Sequence, residues 1–178
     1  MMKKLLTLTI ALFLGIGLMA QDADNSKIKW HSFEEAIELQ AKEPKKVFID
    51  VYTDWCGWCK KMDRDTFSHP EIAKYMNENF YAVKFNAEGK KPVTFKGTEF
   101  INENKGRRPT HQLAQALLNG RMSYPSYVFM NKKSELITIV PGYMGAKDFD
   151  PILHFFAEDK FLTEKWEDFN SKFESKIK

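Results

Sequence analysis

The chain has 178 residues, 43% hydrophobic, 29% charged and 14% aromatic, a composition that excludes disorder and suffices for one packed domain with decoration. Lys3 and Lys4 supply two of its 27 basic groups, so the 158 residues after position 20 carry 25 basic against 24 acidic groups, net +1. That balance leaves no electrostatic footprint for nucleic acid or an anionic membrane, and two cysteines are too few for a disulfide scaffold.

Residues 1–20 are expected to be an export signal. Lys3 and Lys4 precede an apolar run from Leu5 to Met19, and Ala20 supplies a small residue before the polar Gln21-Asp22-Ala23-Asp24-Asn25. The run is about 15 residues long, short of the roughly 20 that a spanning helix needs. No cysteine follows it to carry a lipid anchor. Export would place the protein, in a Gram-negative cell, in the periplasm, where disulfides persist.

Residues 21–159 read as one α/β domain. Ser32 with Glu35 forms a capping box ahead of a helix over 32–42, which Glu43-Pro44-Lys45-Lys46 ends. Val47 to Tyr52 is a β-branched and aromatic run broken only by Asp50, the pattern of a strand covered on both faces. Burial there should disfavour the charged form of Asp50 and raise its pKa. A helix is expected after the cysteines to about Asp65, another from Ser68-His69-Pro70-Glu71, and a strand over 80–85. Residues 88–108 carry six basic against three acidic side chains and read as a solvated surface excursion in preference to a binding lip. A helix over 110–118 follows, with His111 expected in solvent near its start. A hairpin over 127–130 and 136–140 and a helix over 147–158 complete the domain. Leu162, Trp166, Phe169, Phe173 and Ile177 recur at 4-3-4-4 spacing and predict an amphipathic C-terminal helix over 160–178 that packs on its own domain. Strands separated by helices, then a hairpin and a last helix, predict helices around a mixed sheet.

The chemistry concentrates in Trp55-Cys56-Gly57-Trp58-Cys59-Lys60, between a buried strand and a helix. The helix start turns Cys56 toward unpaired backbone N–H groups, which favour thiolate over thiol and lower a cysteine pKa from about 8.5 to roughly 3.5–7.5. Cys56 is therefore the candidate attacking group and Cys59, one turn inward, the candidate resolving one. A structural staple would close too small a loop to stabilise by more than roughly 2 kcal/mol. A zinc site lacks a second half, since His31, His69, His111 and His154 are scattered, and haem attachment would need His where Lys60 stands. Two thiolates could still hold a soft ion such as Cu(I), which leaves a non-enzymatic binding module as the rival to redox chemistry. Trp55 and Trp58 flank the nucleophile, where they either shield apolar surface or contact an extended substrate.

The run Phe48 to Lys60 resembles thioredoxin, and the resemblance extends through most of residues 45–157. Asp50 falls where thioredoxins keep a buried carboxylate, and Lys84 is similar to the lysine that pairs with it. Tyr124-Pro125-Ser126 resembles the family's cis-proline segment, and Gly142 the glycine after the last strand. The resemblance is greatest to exported proteins of the thiol:disulfide interchange type. It implies a thioredoxin fold with an extended loop before the cis-proline, and an oxidoreductase acting on disulfide-containing proteins with no bound cofactor or metal. It further implies a membrane or soluble thiol partner, proton handling by Asp50 and Lys84, and a substrate groove formed by Trp55, Gly57, Trp58, Tyr124 and Pro125. Gly57-Trp58 stands where thioredoxin has Gly-Pro, so redox potential and direction of electron flow do not carry over.

Overall fold

The computed structural model describes residues 26–178; the expected export signal lies outside the described residues. The elements are β1 (Trp30–His31), α1 (Phe33–Lys42), β2 (Lys46–Tyr52), α2 (Gly57–Met62), a π-helical turn (Asp63–Phe67), α3 (Pro70–Asn79), β3 (Phe80–Asn86), β4 (Val93–Phe95), β5 (Thr98–Phe100), α4 (Gln112–Leu117), β6 (Ser126–Met130), β7 (Leu136–Pro141), α5 (Ala146–Ala157) and α6 (Trp166–Asn170). Five strands make one sheet in the order β1-β3-β2-β6-β7, and β4 and β5 pair separately. Strands β1, β3 and β2 run parallel, while β6 is antiparallel to β2 and β7 to β6. This is the mixed sheet that the alternation of elements predicts.

The local rules operate as the residues require. Ser32 Oγ accepts from Glu35 N at 3.2 Å while Glu35 Oε2 accepts from Ser32 N at 2.8 Å, closing both halves of the capping box on α1. His69 caps α3 through Nδ1, with Pro70 in the first turn. Strand β2 sits between β3 and β6, and all of its residues but Tyr52 are buried.

Alternation along β2 divides the core. Val47, Ile49 and Val51 face α1, α4 and the β4–β5 hairpin, together with Phe33, Val83, Val93 and Leu113. Phe48 faces the other way, toward Met62, Met76, Tyr127, Phe129, Phe149 and Leu153. Its ring lies 5.3 to 6.4 Å, centroid to centroid, from those of Trp30, Phe67, Phe80, Tyr127, Phe129 and Phe149. Asp50 and, through the β2–β3 register, Lys84 lie on this second side.

Three expectations are corrected. The C-terminal segment is not one helix: residues 160–162 form a 3-10 turn, α6 spans five residues, and the chain then runs irregularly to its end. The apolar spacing is met by draping instead. Phe169 packs on Phe155 at 5.2 Å and Phe173 on His154 at 4.9 Å, and Ile177 is buried, while Leu162 stays exposed. Ser171, bonded to the Asp168 carbonyl, and Ser175, bonded to Asp150, draw the chain out of helical geometry. Nor is segment 88–108 merely solvated, since it contains a hairpin whose Val93 is buried and whose Phe95 packs edge-on to Phe33 at 5.1 Å. His111, expected in solvent, is buried: Nδ1 accepts from Leu113 N at 3.1 Å, and Nε2 lies 3.1 Å from the Lys91 carbonyl.

The aromatic cluster yields the first prediction. Replacing Phe48 by Ala removes the ring that its neighbours share, and should cost about 3–5 kcal/mol. Urea unfolding of both proteins measures it, and a loss below about 1 kcal/mol would show that the cluster collapses around the gap.

Candidate active site

The site is assembled at the C-terminal end of β2. Strand β2 ends at Tyr52, Cys56 N donates to the Thr53 carbonyl at 3.1 Å, and α2 begins at Gly57. Cys56 is the N-cap of α2, its Sγ accepting from Cys59 N at 3.0 Å. Cys56 and Cys59 are joined in a disulfide and both are buried. A Cβ on Gly57 would meet nothing within 4 Å, so the surface over the first turn of α2 is open.

Aromatic side chains flank the sulfurs. Trp55 is 49% and Trp58 59% exposed, high values for such large apolar groups. Trp55 stands edge-on to Tyr124 at 5.9 Å, and Trp58 tilts against Tyr143 at 5.4 Å. Lys61 lies 4.7 Å from the centre of the Tyr143 ring, whose hydroxyl donates to Asp65 at 3.1 Å. The Tyr124–Pro125 peptide is cis, as the resemblance implies. Ser126, the next residue, pairs with Val51, so Pro125 sits at the same end of the sheet as the cysteines. Gly142, at φ +98°, donates its N–H to the Pro125 carbonyl at 2.9 Å, a backbone conformation suited to glycine.

Beneath lies a charged group in an apolar strand. Asp50 has a relative exposure of 1%, and its Oδ2 accepts from Lys84 Nζ at 2.6 Å. The pairing follows from register, because Asp50 and Lys84 are direct neighbours across β2 and β3. Burial pushes the Asp50 carboxyl up to about 6; Lys84 pulls the other way without cancelling it. Asp50 Oδ1 is buried with no hydrogen-bond partner in the protein. For Lys84 burial acts downward, but Asp50 and Asp63 prevail and hold the ammonium above its usual range. The same ammonium lies about 5 Å from the ring centres of Trp30, Tyr52 and Phe67. Burial, with Glu88 nearby, lifts the Tyr124 hydroxyl to about 12.

Every residue predicted from sequence for this site occurs at one end of the sheet or directly below it. Sequence reasoning missed Asp63, which also accepts from Lys84, and the pair Glu88 and Arg108, which hold Trp55. Asp63 could have been found from its place one helical turn after Cys59. Glu88 and Arg108 reach Trp55 only through the path of the loop. Among the described residues no cluster of His, Cys, Asp or Glu is arranged to hold a metal ion.

The fold and the cysteine pair define a thioredoxin-like protein, and comparison with known proteins agrees: the family profile described as a thioredoxin-like domain matches residues 33–157. The chain belongs to that family. It is 40% identical over 119 residues to the thiol:disulfide interchange protein DsbD of Pectobacterium atrosepticum, a match covering 66% of this chain and 17% of that protein. It is 33% identical over 67 residues to mouse spermatogenesis-associated protein 20, covering 37% of this chain and 8% of that protein. The match therefore spans less than a fifth of the length of either relative. Among solved structures, a putative disulphide-isomerase from Bacteroides thetaiotaomicron shares the fold, with a TM-score of 0.54 and 23% identity over 78% of this chain and 97% of that one.

The position of Asp50 yields a prediction with a fixed sign. Its folded pKa, about 6, exceeds the roughly 3.9 of an unfolded chain, so folding favours the protonated carboxyl. That contribution is complete below the unfolded value and is lost as pH rises through the folded one. Asp50→Asn cannot ionise and should gain on the wild type by about 2–3 kcal/mol between roughly pH 4 and pH 8. Urea unfolding of both proteins at the two pH values measures this. A stability difference independent of pH would mean that Asp50 titrates as it does in the unfolded chain.

Proposed function

We propose that the protein is an exported thiol:disulfide oxidoreductase that exchanges disulfides with protein substrates through Cys56 and Cys59. The observation that carries the reading is the Cys56–Cys59 disulfide at a strand-to-helix junction, between exposed Trp55 and Trp58 and at the same sheet end as cis-Pro125. A cysteine pair placed only for stability would not need two exposed indoles around it. The similarity to DsbD, whose name specifies thiol:disulfide interchange, supports the same reaction class. Export rests on the pattern of residues 1–20 and points to the periplasm of a Gram-negative cell. Among the described residues no helix is long and apolar enough to cross a membrane.

The chemistry proceeds in two exchanges. In the reduced protein the Cys56 thiolate, favoured by its N-cap position, attacks one sulfur of a substrate disulfide. A Cys56–substrate disulfide forms and the other substrate sulfur leaves as a thiolate. Cys59 then loses its proton and attacks Cys56 Sγ, which closes the intramolecular disulfide and releases the second substrate thiol. Two electrons pass from the cysteine pair to the substrate. The proton from Cys59 goes to Asp50, where the unbonded Oδ1 can carry it and the Lys84 ammonium on Oδ2 limits how basic the group becomes. An acceptor with a pKa of about 6 lies near enough to neutral pH both to take a proton and to return it. With an oxidised protein and a reduced partner the same steps run backward, the direction being set by the two reduction potentials.

Substrate backbone would lie against Tyr124 and cis-Pro125, with Trp55, Trp58 and the open face over Gly57 as the groove's other contacts. A membrane or soluble thiol partner would restore the starting redox state. No nucleic acid or bound cofactor enters the cycle.

The order of attack is tested by trapping. The Cys59→Ser protein should accumulate mixed disulfides with protein substrates through Cys56, and Cys56→Ser should accumulate few. The wild type should accelerate insulin reduction by dithiothreitol, and either variant should lose most of that acceleration. Faster alkylation of Cys59 than of Cys56 in the reduced protein at mildly acidic pH would reverse the assigned roles.

A further inference from the structure

The segment between β3 and α4 brings a guanidinium onto Trp55, the residue before the redox pair. The Arg108 guanidinium lies 4.2 Å from the centre of the Trp55 ring, and Trp55 immediately precedes Cys56. The indole is fixed on its edge as well, with Nε1 donating to Glu88 Oε1 at 2.9 Å. The loop that delivers Arg108 is closed on itself. Asn102 Nδ2 donates to the carbonyls of Glu88 at 3.2 Å, Gly89 at 3.1 Å and Pro109 at 3.0 Å, and Asn102 Oδ1 accepts from Asn104 N at 2.9 Å. Buried His111 ties the far end to the Lys91 carbonyl. Arg108 is thus presented by an anchored loop while remaining exposed.

Of the six basic side chains in this segment two are ion-paired, and of the other four Arg108 is the one that lies over Trp55. Lys91 pairs with Glu34 at 3.5 Å, and Lys105 with Glu103 at 2.8 Å. Glu103 also accepts from Gln112 at 3.2 Å. Glu88 has an oxygen occupied by the indole N–H. Among the described residues Arg108 makes no ion pair. A guanidinium stacked on an aromatic face keeps its N–H fork available for a carboxylate. Beside it opens a cleft of about 300 Å³ lined mostly by polar side chains, among them Asn102, Thr110 and Gln115, and by Glu103, whose carboxylate is already engaged by Lys105 and Gln112.

We propose that Arg108 is a specificity-determining residue that selects substrates carrying a carboxylate side chain next to the reacting cysteine, that is, acidic polypeptide segments. The proposal rests on the disulfide-exchange reading of Cys56 and Cys59 and adds a substrate class to it. The carboxylate engages the guanidinium over Trp55 while the adjacent substrate sulfur faces Cys56. The bonds made and broken in the exchange are unchanged.

The test uses two synthetic peptide disulfides that differ only in having Asp or Asn on either side of the cysteines. Prereduced protein is mixed with each in excess, and the apparent second-order rate of Cys56–Cys59 oxidation is followed by tryptophan fluorescence and by alkylation of remaining thiols. The wild type should react about 3- to 10-fold faster with the acidic peptide, a preference that added salt at about 0.5 M erases. Arg108→Gln should lose the preference because the acidic peptide slows more than the neutral one, and Arg108→Glu should invert it. Equal rates in the wild type, or an equal loss on both peptides in Arg108→Gln, would overturn the proposal and reduce Arg108 to a brace for Trp55. A wild type inactive toward both peptides contradicts the exchange reading itself, an outcome distinct from equal rates.

Discussion

Strand β2 is paired on both edges and covered on both faces, and the arrangement of the site follows from that confinement. A strand so enclosed has nowhere to leave the sheet except at its ends, and its C-terminal end feeds directly into α2, with Cys56 at the junction. The same enclosure removes water from Asp50. The carboxylate is tolerated because the parallel β2–β3 register sets Lys84 next to it, and because the carboxyl can take a proton when the charge is too costly. One structural constraint thus supplies both the position of the sulfurs and, in the proposed exchange, the group that takes the proton of Cys59.

Lys84 connects this interior to the surface. Its ammonium touches buried Asp50 and the more exposed Asp63 on the π-helical turn after α2, and lies over three aromatic rings. The cation therefore cannot fully commit to Asp50, and burial dominates that carboxyl. A lysine bound to Asp50 alone would hold it ionised more firmly and make it a poorer proton acceptor. On the outside, Trp55 is fixed by Glu88, Arg108 and Tyr124, whereas the ring of Trp58, among the described residues, leans on that of Tyr143. The two indoles differ in how firmly they are held, although the sequence presents them as a symmetric pair around Cys56-Gly57.

Much of this was legible in the residue order because it depends on short-range rules. The box at Ser32 and Glu35, the apolar run around Asp50 and the cysteine spacing are local, and each appears where expected. Strand β1 was not legible: its two residues, Trp30 and His31, carry no alternation and become a strand only because β3 offers an edge. The C-terminal spacing reads as helical because draping on α5 and a helix place the same apolar residues inward. His111 is buried only because the Lys91 carbonyl comes back to meet its ring. Arg108 likewise gains meaning from a loop whose closure by Asn102 no local pattern announces. What sequence withholds here is long-range return of the chain, which determines whether a polar side chain ends in water or against a partner.

The central claim is that a buried carboxylate, held near neutrality by burial against Lys84, accepts the proton of the resolving cysteine. Rapid mixing of reduced protein with a disulfide substrate, resolved into mixed-disulfide formation and its decay, tests it most directly in wild type and Asp50→Asn. Formation of the Cys56 adduct should proceed at nearly the wild-type rate, while its resolution by Cys59 slows by about 10²-fold or more, the range of a lost general base. Resolution at the wild-type rate in Asp50→Asn would contradict the account and leave Asp50 a structural partner of Lys84.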